Sequence, residues 1–311
     1  MTDGLAGARR VAVIGLGSMG YGIATSLRRG GFDVVGYDVA PATLERFIAD
    51  GGRAATSPRE ASAGAEVVVA VVVNAAQTEA VLFGRDGCAE AMPAGSVFVS
   101  SATMAPDAAR ALARRLEASG RLYLDAPISG GAQRAAEGAL TVLTSGSHEA
   151  LARGRAVLEA MATTIYELGD TPGLGAAFKM INQLLAGVHI AVACEAIAFS
   201  ARLGLDLARV YEVITGSAGN SWMFENRVPH VLEGDYRPRS AVEIFTKDLG
   251  IVMDMARAEK FPVPMASAAL QLFLMTAAAG MGGDDDASVA RLFARVADVP
   301  LPGAAANVPH A

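Results

Sequence analysis

The chain has 311 residues, of which 52% are hydrophobic and 19% charged, and its 26 basic and 32 acidic side chains give a formal net charge of -6. That length exceeds what one typical core supports, and the composition excludes a disordered chain, so two domains with much buried surface are expected. No Lys/Arg cluster appears, which excludes the electrostatic footprint of a nucleic-acid partner.

Cys88 and Cys194 have neither metal-ligand spacing nor a disulfide framework around them, so no metal site is expected and a reducing cytoplasm is the expected location. The opening "MTDGLAGARR" lacks the apolar stretch of a signal peptide, and "VVVAVVV" (67–73) is too short to span a bilayer. No membrane partner is therefore expected.

From residue 10 to about 168, β-branched runs alternate with Ala-rich helical stretches: "RVAVI", "DVVGY", "EVVVAVVV", "SVFVS", "LYLDAP", "LTVLTS" and "TIYEL". Continuous apolar strands between helices predict an α/β fold, a Rossmann-type doubly wound parallel sheet covered on both faces. After residue 173 the pattern is helical, over 174–203, 206–217, 221–233, 242–260, 265–280 and 287–296, with breaks at Gly204, Gly219, Gly234, Pro262 and Gly282. The expected domains are a sheet domain over 1–170, an all-α C-terminal domain over 171–297 opened by a long central helix, and a flexible tail over 298–311.

In "VAVIGLGSMGYGIATSL", Gly15, Gly17 and Gly20 follow a strand and open an amphipathic helix. Gly15 allows the tight turn, Gly17 lets backbone approach a pyrophosphate, and Gly20 brings helix and strand together. The pyrophosphate would lie on free N–H groups at the positive end of the helix dipole. Asp38 ends the second strand, where an acid accepts from an adenosine ribose and repels a 2'-phosphate; Val39, Ala40 and Pro41 supply no Arg. NAD rather than NADP is expected.

Ligands of a doubly wound sheet bind beyond the carboxyl ends of its strands. Three such ends carry small or polar residues: Asn74, then Ser100, Ser101 and Thr103, then "DAPISGG" (125–131). In the last, Ser129, Gly130 and Gly131 offer a hydroxyl and approachable N–H groups suited to a carboxylate, or else form a simple turn. On the long helix, "GLGAAFKMINQLLAG" confines polarity to one stripe of Lys179, Asn182 and Gln183. Its apolar residues Phe178, Met180, Ile181, Leu184 and Leu185 leave no evident solvent-facing side.

With "GLGSMGYG", "DAPISGG", "GLGAAFKMINQ" and "KDLG" (247–250) in this order, the chain resembles the β-hydroxyacid dehydrogenases of the 3-hydroxyisobutyrate dehydrogenase type over residues 10–295. "VVNAAQ", "QLLAGVHIA" and "AGNSWMFENR" are similar to the branch that acts on L-threonate. The resemblance implies a dinucleotide held by Gly15, Leu16, Gly17, Ser18, Met19, Gly20 and Asp38, with Asn74 and Thr103 at the nicotinamide end and Lys247 and Asp248 closing over the cofactor. Ser129, Gly130 and Gly131 would bind the substrate carboxylate, and Asn182, Gln183, Asn220 and Ser221 would line the substrate pocket. Relatives carry Asn both three and four residues after the lysine, so which of Asn182 and Gln183 meets the substrate stays open.

Lys179 would be the acid/base, in a cleft between the two domains, while hydride leaves a carbinol carbon for NAD. Burial among Phe178, Met180 and Leu184 would favour the neutral amine that a base needs. Ser240 would suit a polyhydroxylated substrate. A small hydroxy acid is the expected substrate, with L-threonate preferred and 3-hydroxyisobutyrate, glycerate or the tartronate semialdehyde and glyoxylate reductions as alternatives. A non-catalytic dinucleotide-binding scaffold or an imine reductase would be expected to lack the lysine. The apolar helical domain predicts a homodimer or homotetramer.

Overall fold

The computed structural model describes residues 9–304. The apolar run Arg10–Ile14 forms β1, the glycine turn follows, and Gly20–Arg29 forms α1. The chain continues as β2 (Asp33–Tyr37), α2 (Pro41–Ala49), β3 (Arg53–Ala54), α3 (Pro58–Ser62), β4 (Val67–Ala70), α4 (Ala75–Phe83), β5 (Val97–Ser100), α5 (Pro106–Glu117) and β6 (Leu122–Asp125). Then come β7 (Ile128–Ser129), α6 (Gly131–Glu137), β8 (Leu140–Thr144), α7 (His148–Met161) and β9 (Ala162–Glu167).

Strands β1 to β6 build one parallel sheet in the order β3-β2-β1-β4-β5-β6, which places the β1 and β4 ends side by side at its centre. Val11 and Val13 of β1 face a core shared with α1 and α7, whereas Ala12 and Ile14 face a second core shared with α3 and α5. Both faces are therefore covered, as the unbroken apolar strands require.

The seven long apolar runs do not all join this sheet. The runs "LTVLT" and "ATTIYE" join β7 in a separate three-stranded sheet, β7-β8-β9, with β8 antiparallel to β7 and parallel to β9. Strand β8 buries Leu140, Val142 and Thr144 while the residues between them are half-exposed, in contrast to β4 and β5, which are buried throughout. A strand with one covered face belongs in an antiparallel or mixed sheet better than in the middle of a doubly wound one. The two-residue strands β3 and β7 carry no periodic signal.

The chain divides into two compact units after Lys179, inside α8 (Leu174–Arg202). The second unit continues with α9 (Leu207–Thr215), α10 (Trp222–Glu233), α11 (Val242–Ala258), α12 (Pro264–Thr276) and α13 (Val289–Ala297). A π-helical turn follows α12 at Ala277–Met281, and a 3-10 turn at Asp286–Ser288 precedes α13. Its core gathers Ile190, Cys194 and Ile197 of α8 with Phe224, Phe245, Leu249 and Phe273. Side chains of Asp206 and Ser221 cap α9 and α10, and Gly234 ends α10 in the left-handed conformation. Of the tail expected from residue 298, Val299 and Leu301 are buried and the Tyr236 hydroxyl donates to the Pro302 carbonyl. Residues 305–311 lie outside the described residues.

Candidate functional site

The glycine turn is fixed by contacts no larger residue permits. Gly15 has φ of +91°, and a Cβ on it would meet the Val71 carbonyl oxygen at 2.4 Å; a Cβ on Gly20 would meet the Gly15 carbonyl oxygen at 1.9 Å. Gly17 faces open space, which leaves backbone accessible to a ligand. Leu16 N donates to Asp38 Oδ2 at 2.6 Å and Ala40 N to Asp38 Oδ1 at 2.8 Å, so Asp38 ties the glycine turn to the end of β2. Ser18 and Met19 lead into α1, whose first turn receives no side-chain cap. Ser57, Asn74 and Ser147 cap α3, α4 and α7, while α2, α5 and α6 also start without a side-chain cap. An uncapped helix start behind a glycine turn, with an acid at the next strand end, fits a dinucleotide.

Asn74 Oδ1 accepts from Gln77 N at 2.9 Å, beyond the β4 end, and Thr103 follows the β5 end. Ser129 pairs with Thr141 of β8, Gly130 has φ of +135°, and Gly131 opens α6. Two residues tie this turn to its surroundings without having stood out in the sequence. Gly22 lets α1 lie against α6, since a Cβ there would meet Ala136 N at 2.6 Å. Asp125, which closes the apolar strand "LYLD", is buried and accepts from Gly173 N at 2.9 Å and Ala176 N at 2.8 Å. A charged residue closing an apolar strand was the available signal.

Ser145 completes that arrangement. Its hydroxyl donates to Asp125 Oδ2 at 3.2 Å and accepts from Gly175 N at 2.9 Å. Burial pushes the Asp125 carboxyl up to about 6 against the opposing pull of these donors. Lys179 lies one turn further along α8 and is only 7% exposed. The apolar surroundings expected for it need correcting: Phe178, Ile181 and Leu185 are exposed, while Met180 is buried. The helix thus has a solvent-facing side, and that side is apolar.

Within the second unit, Asn182, Gln183, Lys247 and Asp248 form one hydrogen-bonded group. Asn182 Nδ2 donates to Gln183 Oε1 at 3.0 Å, Gln183 Nε2 donates to Asp248 Oδ2 at 2.5 Å, and Lys247 Nζ lies 2.7 Å from Asp248 Oδ1. Gln183 and Asp248 are buried, whereas Asn182 is half-buried. Asn220 donates to the Thr215 carbonyl and to Glu225, and Ser221 accepts from Phe224 N, so both shape the turn before α10. The Ser240 carbonyl accepts from Asp286 N at 2.8 Å, and its hydroxyl bonds the buried Asp286 carboxylate within the helical unit. No cluster of His, Cys, Asp and Glu suited to a metal occurs among the described residues.

Comparison with known proteins gives two family matches. Residues 10–169 match the family described as the NAD binding domain of 6-phosphogluconate dehydrogenase, and residues 173–293 match the NAD-binding family of NADP-dependent 3-hydroxyisobutyrate dehydrogenase. The chain is 54% identical over 297 residues to the L-threonate dehydrogenase of Cupriavidus necator, covering 96% of this chain and 99% of that one. A crystal structure of a 3-hydroxyisobutyrate dehydrogenase from Salmonella typhimurium superposes with a TM-score of 0.87 at 48% identity, covering 91% of this chain and 99% of that one. A Mycobacterium tuberculosis 3-hydroxyisobutyrate dehydrogenase with L-serine superposes with a TM-score of 0.80 at 30% identity, covering 92% and 99%.

Proposed function

The chain belongs to the β-hydroxyacid dehydrogenases of the 3-hydroxyisobutyrate dehydrogenase type, and we propose that it oxidises L-threonate at C2 to 2-oxo-tetronate with NAD as acceptor. The carrying observation for the chemistry is Lys179, a buried amine on a helix whose first turn is bonded to the strand leading to Ser129. The 54% identity to an L-threonate dehydrogenase supports the substrate.

NAD supplies the hydride acceptor. Gly15 to Gly20 would receive its pyrophosphate and Asp38 its adenosine ribose, with Asn74 and Thr103 at the nicotinamide end. Ser129, Gly130 and Gly131 bind the substrate carboxylate through a hydroxyl and backbone N–H groups. Lys179 takes the proton from the hydroxyl as hydride departs and stabilises the alkoxide charge that develops. Asn182 orients a second substrate hydroxyl, because both ends of the Gln183 amide are already engaged by Asn182 and Asp248. Lys247 meets the cofactor and Asp248 holds Lys247. Asn220 and Ser221 form the distal pocket wall.

The test is a panel of L-threonate, 3-hydroxyisobutyrate, glycerate and L-serine with NAD and with NADP, plus glyoxylate and tartronate semialdehyde with NADH. The highest kcat/KM is expected for L-threonate with NAD. A preference for 3-hydroxyisobutyrate, the substrate named for the Salmonella typhimurium neighbour, would replace the substrate and keep the chemistry. Binding of NAD without turnover of any of these would leave a dinucleotide-binding scaffold.

A homo-oligomer completes the reading. Ile181, Leu185, Val192 and Phe199 of α8 are exposed, from 50% at Leu185 to 62% at Phe199. Leu185, Val192 and Phe199 recur every seventh residue, the spacing of a helix face that packs against another helix. By length and composition alone α8 could also cross a bilayer, but it carries the buried Lys179 and Gln183, and 44% of its apolar 18-residue stretch is buried within the fold. A second copy of the chain is the occupant we assign to the face. Two free, buried cysteines suit the reducing cytoplasm proposed as the location.

A further inference from the structure

We propose that Asp125 and Ser145 are positioning residues for the reaction: they moor the first turn of α8 to the ends of β6 and β8, and so hold Lys179 in register with the carboxylate-binding turn at Ser129. The inference rests on the reading of Lys179 as the acid/base and of Ser129 as a carboxylate ligand.

Where another α-helix of this protein has a side-chain cap, the cap comes from the residue just before it, as for α4 from Asn74 and α10 from Ser221. Helix α8 is held from far along the chain. Gly173 N and Ala176 N reach Asp125 Oδ2 across 48 and 51 residues, and Gly175 N reaches Ser145 Oγ across 30. Simple capping needs no such long-range partners.

The fit is also close. A Cβ on Gly175 would lie 2.3 Å from the Leu143 carbonyl oxygen, so the helix start rests directly on the backbone at the end of β8. Asp125 and Ser145 are themselves stitched together, with Asp125 N donating to Ser145 O at 3.0 Å and Ser145 N to Asp125 O at 2.8 Å. This bridge joins the six-stranded sheet to the three-stranded one.

Ser129 belongs to the same frame from both sides. It lies four residues beyond Asp125, and it pairs with Thr141 of β8, the strand that ends just before Ser145. Lys179 is three residues past Ala176, about 4.5 Å along a helix. One pair of side chains thus ties the helix start below the amine to the strands whose backbone carries the carboxylate-binding turn, and loosening either side chain would displace the amine against that turn. Misplacement of about 1 Å is enough to cost roughly 100-fold in rate.

The experiment compares Asp125→Asn, Ser145→Ala, Ser145→Thr and a Lys179→Ala control in the full chain. Measured quantities are kcat per folded active site, KM for the hydroxy acid, the NAD dissociation constant and Tm. Asp125→Asn and Ser145→Ala are expected to lower kcat between about 10- and 100-fold with NAD binding unchanged, and Ser145→Thr, which keeps the hydroxyl, is expected to recover most of it. A kcat equal to wild type in both variants overturns the inference, as does a loss explained wholly by fewer folded molecules. Turnover that survives Lys179→Ala would overturn the role of the lysine itself, and the inference with it.

Discussion

The Gln183 amide donates to the buried Asp248 carboxylate at 2.5 Å, and its other end accepts from Asn182. Gln183 is buried beside Asp248 while Asn182 is half-buried, so in the proposed reading Gln183 orients its neighbours and Asn182 meets the substrate. Asn182→Ala is expected to lower kcat/KM for the hydroxy acid by 10-fold or more, with NAD binding and Tm little changed. Gln183→Leu strips a partner from a buried carboxylate, which costs about 1–3 kcal/mol. It should lower Tm and raise both KM values, because Asn182 and the Asp248–Lys247 pair each lose a support. Steady-state kinetics with each substrate varied, alongside thermal melts, decide this; an unaffected Asn182→Ala enzyme would reverse the assignment.

Lys179→Ala is expected to reduce kcat by at least about 100-fold, the scale of a lost general base. The NAD dissociation constant should stay near wild type, since the glycine turn and Asp38 are remote in sequence and independently bonded. Fluorescence titration of NAD next to single-turnover rates separates the two effects. Near-normal turnover would remove the lysine from the mechanism.

Much of this was legible in the sequence. The strand, turn, helix, strand and acid order around Gly15 and Asp38 depends on short local spacing, and local spacing is what a sequence displays. The six principal helices after residue 173 are likewise marked by Gly and Pro at their ends. What stayed hidden depends on pairing across long separations. The separate sheet of β7, β8 and β9 follows from one covered face on β8. The roles of Gly22, Asp125, Ser145 and Gly175 depend on contacts dozens of residues away. The exposure of Phe178, Ile181 and Leu185 on a helix that looked apolar all round was hidden for the same reason.

Asp38 braces Leu16 N, and in the proposed reading it also repels a 2'-phosphate. Asp38→Asn keeps an acceptor and removes the charge, so the preference for NAD over NADP should fall by about 10-fold or more, chiefly through a lower KM for NADP. Kinetics with both dinucleotides measure the ratio. An unchanged ratio would mean that Asp38 serves only as a brace.

The apolar face of α8 makes a prediction about assembly. Leu185→Glu with Val192→Glu places two carboxylates on a face whose members are about half exposed in the single chain, so the fold should tolerate them. A helix-to-helix interface with a second copy should not, because each unpaired buried charge costs several kcal/mol. Light scattering after size exclusion is expected to give an oligomer for the wild type and a monomer for the double variant. A wild-type chain that is monomeric at all concentrations would sink the proposed interface.

Asp125 gives stability a pH dependence with a definite sign. Its carboxyl is pushed up to about 6 from 3.8, mainly by burial, while N–H groups of Ala176 and Gly173 and the Ser145 hydroxyl pull the other way. Because the folded state holds this proton more tightly than the unfolded chain, the contribution to stability is greatest below about pH 4 and declines as pH rises through 6. The full change is about 3 kcal/mol. Asp285, held below its ordinary value by His230 and backbone donors, works in the opposite direction, so total stability is a poor readout. The difference between wild type and Asp125→Asn cancels such terms. Denaturant unfolding from pH 4 to 7 is expected to show the variant gaining on the wild type as pH rises, with most of the change complete near pH 6. A difference that stays flat across that range would mean the N–H groups at the start of α8 outweigh the burial of the carboxylate.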